Sequence, residues 1–121
     1  MEFDYFYGKQ GGQYAFYRTP KQLFTDSRFD VLSAEAKLLY GMMIDRMELS
    51  QKNGWLDKKG RVYIYYTVDE IKERLHCAND KAVKLMRELD SDKGIGLIEC
   101  VRQGLGKPNI IYVKNFVGNI N

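Results

Sequence analysis

Residues 67–90, TVDEIKERLHCANDKAVKLMRELD, decide the fold of this chain. Thr67 and Glu70 form a capping box, because each can satisfy an otherwise unpaired amide at the start of a helix. The box predicts a short helix from Val68 to Leu75. Within it, Val68, Ile71 and Leu75 share one apolar face.

A second helix follows after the short segment His76, Cys77 and Ala78. Asn79 predicts its N-cap, and the pattern extends to about Ser91. The apolar positions of this helix fall on one stripe, which consists of Ala82, Val83, Met86 and Leu89. Two short helices joined by so tight a turn indicate a helix-turn-helix.

The residues after these helices predict a β-hairpin. Two β-branched runs, residues 97–102 and 110–116, flank a loop that is rich in Gly, Pro and Asn. From Cys100 to Asn121 the chain carries three basic residues and no acidic residue. The hairpin tip is therefore a basic patch, although so few charges can also cluster by chance.

A long helix precedes the deciding stretch. Ser33 is a favourable N-cap, residues 34–47 contain strong helix formers, and Asn53-Gly54 is a stop signal. The middle of this helix, residues 38–44, is apolar on nearly every face, which indicates burial within the domain or against a second copy. Its methionines are predicted to fill the core.

Residues 55–66 have the pattern of a strand or hairpin with a polar turn at residues 58–60. Both faces of residues 62–66 are apolar or aromatic, so we expect this strand to be largely buried. Tyr63, Tyr65 and Tyr66 are residues of the type that stacks on unpaired bases. Core packing is the favoured interpretation of these tyrosines.

The N-terminal residues 1–18 are predicted to be an extension of the domain formed by residues 19–121. Two aromatic runs, Phe3–Tyr7 and Tyr14–Arg18, flank a Gly-rich loop, which predicts a β-hairpin. Nine of the sixteen aromatic residues lie within the first thirty positions. Such a hairpin either packs on its own core or forms an oligomer contact, because exposed apolar patches usually mark interfaces.

Length and composition indicate one globular domain. The chain has 121 residues, of which 45% are hydrophobic and 29% charged, and its net charge is only +3. It lacks the long apolar run of a membrane span and the basic start of a secretory signal. Two cysteines do not form a disulfide framework, so we expect a reduced, cytoplasmic location.

The chain offers poor candidates for catalysis or for metal and nucleotide binding. His76 and Cys77 are adjacent, but a metal site needs three or four ligands and a catalytic pair needs a third, orienting group. We expect this pair to lie in the turn between helices. Residues 104–107, GLGK, follow no phosphate-loop pattern and lead into a strand. No catalytic residue, metal site or cofactor is predicted.

The order helix, strand, helix, tight turn, helix and basic hairpin is that of a winged helix-turn-helix, an α+β fold. In this fold the third helix enters the major groove of DNA, and the hairpin wing contacts the backbone or the minor groove. Helix 79–91 and wing 102–109 are thus the predicted interface. Asn pairs with adenine and Lys or Arg with guanine, so these residue types suit base readout. The candidate residues are Asn79, Asp80, Lys81, Lys84, Arg87, Arg102, Gln103, Lys107 and Asn109.

Four long blocks of the chain carry a family resemblance. They are YRTPKQLF, LSAEAKLLYGMMIDRMELSQKNGWLDKKGRVYIYY, TVDEIKERLHCANDKAVKLMRELD and GIGLIECVRQGLGKPNIIYVKNF. From about Tyr17 to Phe116 they closely resemble the N-terminal domain of the replication initiator protein A family of Gram-positive plasmids and mobile elements. The resemblance implies a winged helix that binds double-stranded repeats at a plasmid origin, commonly as a homodimer. It also implies a C-terminal domain that engages host replication proteins and is absent from this chain.

Three other interpretations of the sequence stay open. The basic residues of helix 79–91 can be a solvated helix face rather than a DNA interface. A winged-helix transcriptional regulator uses the same chemistry on a promoter, so only the DNA target separates it from an initiator. A winged helix that serves protein interaction or dimerisation has no salt-dependent affinity for DNA.

Overall fold

The structure is a computed structural model that describes residues 1–8, 12 and 14–117. Within these residues it contains four α-helices, a 3-10 turn at Ser27–Phe29 and a two-stranded sheet. None of the described helices is long and apolar enough to span a membrane. The elements are α1 (Gln22–Thr25), α2 (Ala34–Lys52), α3 (Val68–Leu75), α4 (Asn79–Leu89), β1 (Ile98–Val101) and β2 (Ile110–Val113).

Helix α2 begins and ends at the predicted signals. The Ser33 hydroxyl oxygen accepts a hydrogen bond from the Ala36 amide at 3.1 Å, and Asn53 is the C-cap. The predicted burial of its middle is confirmed for residues 39–43, whereas Leu38 is 40% exposed and Ile44 is half-buried. The residues that cover this apolar middle belong to the same chain, so the domain core accounts for its burial.

The chain that leads into α1 crosses α2 closely at Gly41. A Cβ atom at Gly41 would collide with the Thr19 hydroxyl oxygen and lie 3.1 Å from the Arg18 carbonyl oxygen. Glycine inside a helix costs roughly 0.5–1 kcal/mol relative to alanine. The close crossing explains why this position in a long helix is occupied by glycine.

Helix α3 has the bounds that the capping box predicts. The Glu70 amide donates to the Thr67 hydroxyl oxygen at 3.1 Å, and the Thr67 amide donates to Glu70 Oε1 at 3.3 Å. Ile71 is its fully buried residue, and the helix packs against α4. The predicted first and last residues of α3 are therefore both confirmed.

Helix α4 differs from its prediction at both ends. Its N-cap is Ala78, which makes no side-chain cap, so the predicted capping by Asn79 is wrong and Asn79 is the first helical residue. The helix ends at Leu89, two residues short of Ser91, because Asp90 is already extended with ψ 147°. Its fully buried residues are Ala82, Leu85 and Leu89, of which the predicted stripe omitted Leu85.

The predicted C-terminal hairpin is confirmed, with shorter strands. Strands β1 and β2 pair in antiparallel register, with Ile98 opposite Val113 and Val101 opposite Ile110. Ile64 forms an isolated antiparallel bridge with Ile111, and its amide and carbonyl groups both bond to that residue at 2.8–2.9 Å. The backbone at Ile64 therefore adds a third, short segment to the wing sheet.

Residues 55–66 form a short hairpin around the predicted turn at residues 58–60, held by single antiparallel bridges rather than by continuous strands. The bridges join Leu56 to Val62 and Ile64 to Ile111. Ile64 and Tyr66 are buried, whereas Tyr63 and Tyr65 are half-buried. Successive side chains of an extended chain point to opposite faces, so the expected burial holds for one face only.

The predicted N-terminal β-hairpin is wrong for the residues that the structure describes. Neither Phe3–Tyr7 nor Tyr14–Arg18 lies in a strand, and most of the predicted Gly-rich loop lies outside the described residues. The two runs approach each other through the rings of Phe6 and Tyr14, whose centroids are 6.0 Å apart. Phe3 remains 85% exposed, so the aromatic side chains do not supply the common core that a marginal two-stranded hairpin needs.

One hydrophobic core joins the helices to the sheet. Side chains from α1 to β2 contribute to it, and the buried residues of α2 and α4 form its centre. The largest fully buried side chains are Leu23, Leu39, Met43, Ile64, Ile71, Leu85, Leu89, Ile98 and Ile111.

Candidate nucleic-acid interface

A three-residue turn connects α3 to α4. His76 adopts the left-handed conformation with φ 52° and ψ 49°, and its amide donates to the Lys72 carbonyl oxygen. The Cys77 amide donates to the same oxygen at 3.2 Å. The expected position of His76 and Cys77 in the turn is thus confirmed, and the turn gives α3 and α4 the arrangement of a helix-turn-helix.

The outer face of α4 presents four of the five residues that the sequence predicts there. Asn79 and Asp80 are exposed at the start of the helix, and Lys84 and Arg87 are exposed one and two turns later. Asp80 places a negative charge in the first turn, where the helix dipole favours it. The face therefore offers an amide and two cations to a ligand.

Lys81, the fifth predicted residue of α4, contacts another part of the domain. Its Nζ lies 3.1 Å from Glu35 Oε2, at the start of α2, and the side chain is half-buried. The Glu35 pKa lies below its ordinary value because a backbone hydrogen bond stabilises the carboxylate, and the Lys81 cation adds to this effect. The charge of Lys81 is thus partly offset within the protein.

Glu88 ties the inner side of α4 to the start of α2. Its Oε1 accepts a hydrogen bond from the Ser33 amide at 2.7 Å, and its Oε2 accepts one from the Ser33 hydroxyl at 2.9 Å. Ser33 is also the N-cap of α2. One serine therefore caps the longest helix and fixes its end against the candidate recognition helix.

Asp90 and Ser91 join the end of α4 to the wing. Asp90 Oδ1 accepts a hydrogen bond from the Cys100 amide at 3.2 Å, and the Ser91 amide donates to the Ile98 carbonyl oxygen at 2.9 Å. Both contacts reach strand β1 from the two residues that directly follow α4. The candidate recognition helix and the wing are thus connected through short hydrogen bonds.

The wing loop, residues 102–109, is exposed along its whole length. Gly104 and Gly106 have φ angles of 120° and 76°, which favour glycine, and the Lys107 amide donates to the Gly104 carbonyl oxygen at 3.2 Å. The Gln103 side-chain amide donates to the Pro108 carbonyl oxygen at 2.8 Å. Gln103 therefore holds the loop in shape.

The remaining predicted wing residues, Arg102, Lys107 and Asn109, are exposed. No acidic residue occurs among the described residues from Cys100 to Val117, a range that includes the wing loop. Two cations and an amide thus project from a loop of fixed shape. This arrangement suits phosphate oxygens, since phosphate contacts position a protein on nucleic acid.

A wing residue that the sequence reasoning missed is Leu105. It is fully exposed between the two glycines at the loop tip. An apolar residue inside a polar, Gly-rich loop is a signal that the sequence already carries. Apolar side chains inserted between base steps are a known means of minor-groove contact.

A further contact anchors the hairpin to the body of the domain. The Tyr40 hydroxyl donates to the Lys114 carbonyl oxygen at 2.6 Å, while the Lys114 amide continues the hairpin pairing by donating to the Leu97 carbonyl oxygen at 2.8 Å. Burial raises the pKa of Tyr40 to about 12, so its hydroxyl stays protonated and able to donate even in moderately alkaline solution. Helix α2 thus holds the residue that follows strand β2.

The two cysteines are free thiols in the structure. Burial raises the pKa of Cys100 to about 11, which keeps that thiol protonated and poorly nucleophilic at neutral pH. Among the described residues, no group of three or more His, Cys, Asp or Glu side chains is arranged to hold a metal ion.

Helices α3 and α4 with their tight turn, followed by an antiparallel hairpin that packs beside α4, define a winged-helix domain. The model of the replication initiator protein A (RepA) N-terminus matches residues 15–121 of this chain. The chain therefore belongs to the replication initiator protein A N-terminal domain family. This confirms the resemblance that the four sequence blocks carry.

The chain is also similar to particular relatives. It is 33% identical over 94 residues to a "41 kDa protein" of Lactobacillus helveticus, covering 78% of this chain and 26% of that protein. The chain thus spans about a quarter of the length of this relative. A solved structure described as "N-Terminal domain of DNA binding protein" has a TM-score of 0.73 and 33% identity, covering 94% of this chain and 85% of that one. A "Structure of Rep-DNA complex" has a TM-score of 0.73 and 34% identity, covering 93% and 84%.

Proposed function

We propose that this domain binds double-stranded DNA at repeats of a plasmid replication origin and acts without catalysis. Helix α4 enters the major groove, and wing loop 102–109 contacts the backbone or the minor groove. Residues 19–121 form the DNA-binding domain, and residues 1–18 are an extension of it. Family membership and the similarity to a Rep-DNA complex support the ligand class.

The observation that carries the proposal is the direct link between α4 and the wing. Asp90 and Ser91 connect the end of the exposed cationic helix to strand β1, which leads into the wing loop. Lys84 and Arg87 on α4 and Lys107 on the wing are exposed. A helix and a wing that approach DNA together fit the docking geometry of helix-turn-helix domains.

Lys84→Ala tests the base-reading role of α4. Binding of this chain to a duplex carrying origin repeats is measured by fluorescence anisotropy. The substitution is expected to cost about 1–3 kcal/mol on the cognate site and to relax specificity at one base pair. Affinity for a random duplex is expected to change less.

Lys107→Ala tests the phosphate role of the wing. It is expected to weaken all duplex sequences similarly and to reduce the slope of log affinity against log salt by roughly one unit. Lys21→Ala is the matched control, since Lys21 is an exposed cation at the start of α1, outside the proposed interface. If Lys84→Ala and Lys107→Ala both bind like Lys21→Ala, the assigned interface is wrong.

Footprinting separates the initiator from its two rivals. The domain is incubated with a plasmid that carries its own replication gene and the neighbouring repeats. Protection at the repeats supports the origin-binding function, whereas protection confined to a promoter supports a transcriptional regulator. A domain without any salt-dependent affinity for duplex DNA is an interaction module instead.

The proposal includes a homodimer and a cytoplasmic location. Most of the apolar middle of α2 is buried by its own domain, so the arguments for an oligomer contact are the exposed Leu38 of α2 and the exposed aromatic residues of the N-terminal extension. Sedimentation of a monomer at high concentration with DNA present contradicts the dimer. Host replication proteins are proposed as further partners, as the family resemblance implies.

A further inference from the structure

The outer face of the wing sheet carries an aromatic cluster, which we define as Trp55, Tyr63 and Tyr65. The Trp55 and Tyr63 rings are inclined by 23° with centroids 6.2 Å apart. The Tyr65 ring stands edge-on to both, at centroid distances of 5.5 Å and 5.9 Å. Trp55 is 40% exposed, and the two tyrosines are half-buried. The cluster thus presents aromatic surface to solvent.

The aromatic cluster lies opposite the core. Ile64 and Tyr66, which alternate with Tyr63 and Tyr65, are the buried residues of this segment. Because alternate side chains of an extended chain point to opposite faces, the core accounts for Ile64 and Tyr66 only. Burial in the core therefore does not explain why Tyr63 and Tyr65, on the outer face, are aromatic.

Hydrogen bonds hold the aromatic cluster in place. The Tyr63 amide donates to the Trp55 carbonyl oxygen at 3.3 Å, and Arg46 Nη1 donates to the Tyr65 carbonyl oxygen at 2.7 Å. Asp57 accepts bonds from the Lys59 and Arg61 amides at 2.9 Å and 2.8 Å, which closes the loop between the rings. A surface that is already ordered loses little entropy when it binds a ligand.

The segment around the aromatic cluster is cationic. Residues 50–66 contain four basic residues and one acidic residue, Asp57. The outer face of the sheet also carries Glu99, which lies opposite Tyr112 and interacts electrostatically with Arg61. Asp57 Oδ2 accepts a bond from Arg61 Nε at 2.8 Å, so its charge is balanced within the loop. Lys52, Lys58 and Lys59 are exposed, and none of them forms an ion pair among the described residues.

We propose that the aromatic cluster binds single-stranded DNA by base stacking, with Lys52, Lys58 and Lys59 on its phosphates. Aromatic side chains next to a basic track are the means by which proteins bind unpaired strands without reading their sequence. In a duplex the faces of the bases are stacked on one another and are not accessible. An unpaired strand exposes these faces to aromatic side chains, so single-stranded DNA is the ligand that we propose. A two-fold symmetric contact would bring this surface of one copy against the same surface of a second copy. Electrostatic repulsion between the two sets of lysines would then disfavour self-association. The inference rests on the proposed function only in taking DNA as the polymer.

The intrinsic fluorescence of the chain provides the direct test, because Trp55 is its only tryptophan. Titration with an oligodeoxythymidine of about 15 nucleotides is expected to quench this fluorescence to saturation, with an affinity that falls as salt rises. Absence of quenching overturns the proposal. A spectral shift that depends on protein concentration alone, without oligonucleotide, assigns the face to a second copy and also overturns it.

Substitutions separate this surface from the duplex interface. With a fluorescein-labelled oligodeoxythymidine, Trp55→Leu is expected to weaken binding about tenfold, whereas Trp55→Phe keeps a ring and most of the affinity. Both variants are expected to bind duplex repeats like the unchanged chain, and Lys84→Ala is expected to show the reverse pattern. Circular dichroism establishes that each variant is folded.

Three results of the substitution experiment overturn the proposal. The first is a folded Trp55→Leu variant that binds the labelled oligonucleotide normally. The second is loss of single-strand affinity in Lys84→Ala or Lys107→Ala, which places the strand on the duplex interface. The third is tighter binding of an oligouridine of the same length, which identifies RNA as the ligand. Failure of duplex binding alone leaves the single-strand result intact, so the two proposals fail separately.

Discussion

Two segments of this chain are rich in aromatic residues, and only one of them is joined to the sheet. The N-terminal segment, residues 3–17, holds seven aromatic side chains that are 45–85% exposed. The second segment, residues 55–66, holds four, of which Tyr66 is buried and Trp55 is 40% exposed. Aromatic content alone therefore does not determine whether a segment forms part of the core.

The difference lies in the contacts that the second segment makes with the sheet. The N-terminal segment also bonds across the fold, where Arg74 Nη1 donates to the Tyr17 hydroxyl oxygen at 2.8 Å, but Arg74 belongs to α3. Ile64 pairs with Ile111 in β2, and Arg46 of α2 donates to the Tyr65 carbonyl oxygen. Tyr112 of β2 donates to Asp57 Oδ2 at 2.9 Å. In the N-terminal segment neither aromatic run has a strand of the sheet beside it among the described residues. The segment whose backbone pairs with a strand of the sheet is thus the one that becomes part of the sheet.

Ile64→Ala removes the apolar anchor of the second segment and carries the largest expected effect. Ile64 is fully buried and bonded to β2 through its backbone, so the substitution leaves a cavity in the core. Truncating such a residue is expected to lower the free energy of unfolding by about 2–5 kcal/mol. Urea unfolding followed by circular dichroism measures the loss. An unchanged urea midpoint contradicts the role given to this anchor.

Arg46→Ala tests the polar link between the second segment and α2. Arg46 bonds to the Tyr65 carbonyl oxygen and to Glu70 Oε2, both at 2.7 Å, and its guanidinium lies 4.6 Å from the centroid of the Tyr66 ring. Loss of charge-assisted hydrogen bonds is expected to cost about 1–3 kcal/mol in the same urea experiment. Arg28→Ala is the control, because Arg28 is an exposed arginine whose contacts, with Asp26 and the Phe29 ring, are to residues within two positions of it. Equal effects of the two substitutions refute the link.

Asp57→Asn is expected to make the stability of the second segment less dependent on pH. Burial raises the pKa of Asp57, but hydrogen bonds from Arg61, Tyr112 and Lys59 outweigh it and hold the pKa well below its ordinary value. The ionised form therefore stabilises the folded state above about pH 4, and this contribution is lost as the pH falls further toward the folded pKa. Thermal unfolding between pH 7 and 2 is expected to show a less stable variant at neutral pH and a narrowing gap in acid. A gap that widens in acid contradicts this assignment.

The double substitution Phe3→Ala and Tyr5→Ala carries the smallest expected effect. Both side chains are more than 80% exposed, and surface changes of this kind usually alter stability by less than about 0.5 kcal/mol. Urea unfolding at low protein concentration measures it. A loss comparable to that of Ile64→Ala shows that the N-terminal segment belongs to the core after all. A loss that appears only at high concentration indicates an oligomer contact.

Much of the fold follows from local sequence signals. Ser33 and the pair Thr67 and Glu70 predict where α2 and α3 begin, because capping depends on residues within a few positions of each other. The wing hairpin follows in the same way from two β-branched runs around a loop with Gly104 and Gly106. The start of α4 differs, since Ala78 is its cap although Asn79 has the better side chain for that position.

The candidate interface is only partly predictable, because its supporting contacts are distant in sequence. Lys81 contacts Glu35, and Glu88 bonds to Ser33 across 55 positions. Periodicity places these residues on a helix face but does not say which of them meets another element. For the same reason the predicted N-terminal hairpin is wrong, since an alternating aromatic run does not reveal whether a partner strand exists.

A groove beside Pro20 bears on how another protein domain can be fused to this one. It has a volume of about 280 Å³, and its walls include Pro20, Phe116 and Val117. The points at which the chain enters and leaves the folded body are therefore neighbours, as is common in domains that accept insertion into another protein. Probes coupled near either point would report on the same corner of the molecule. Inserting residues 19–117 into a surface loop of a carrier protein would require a short linker on each side.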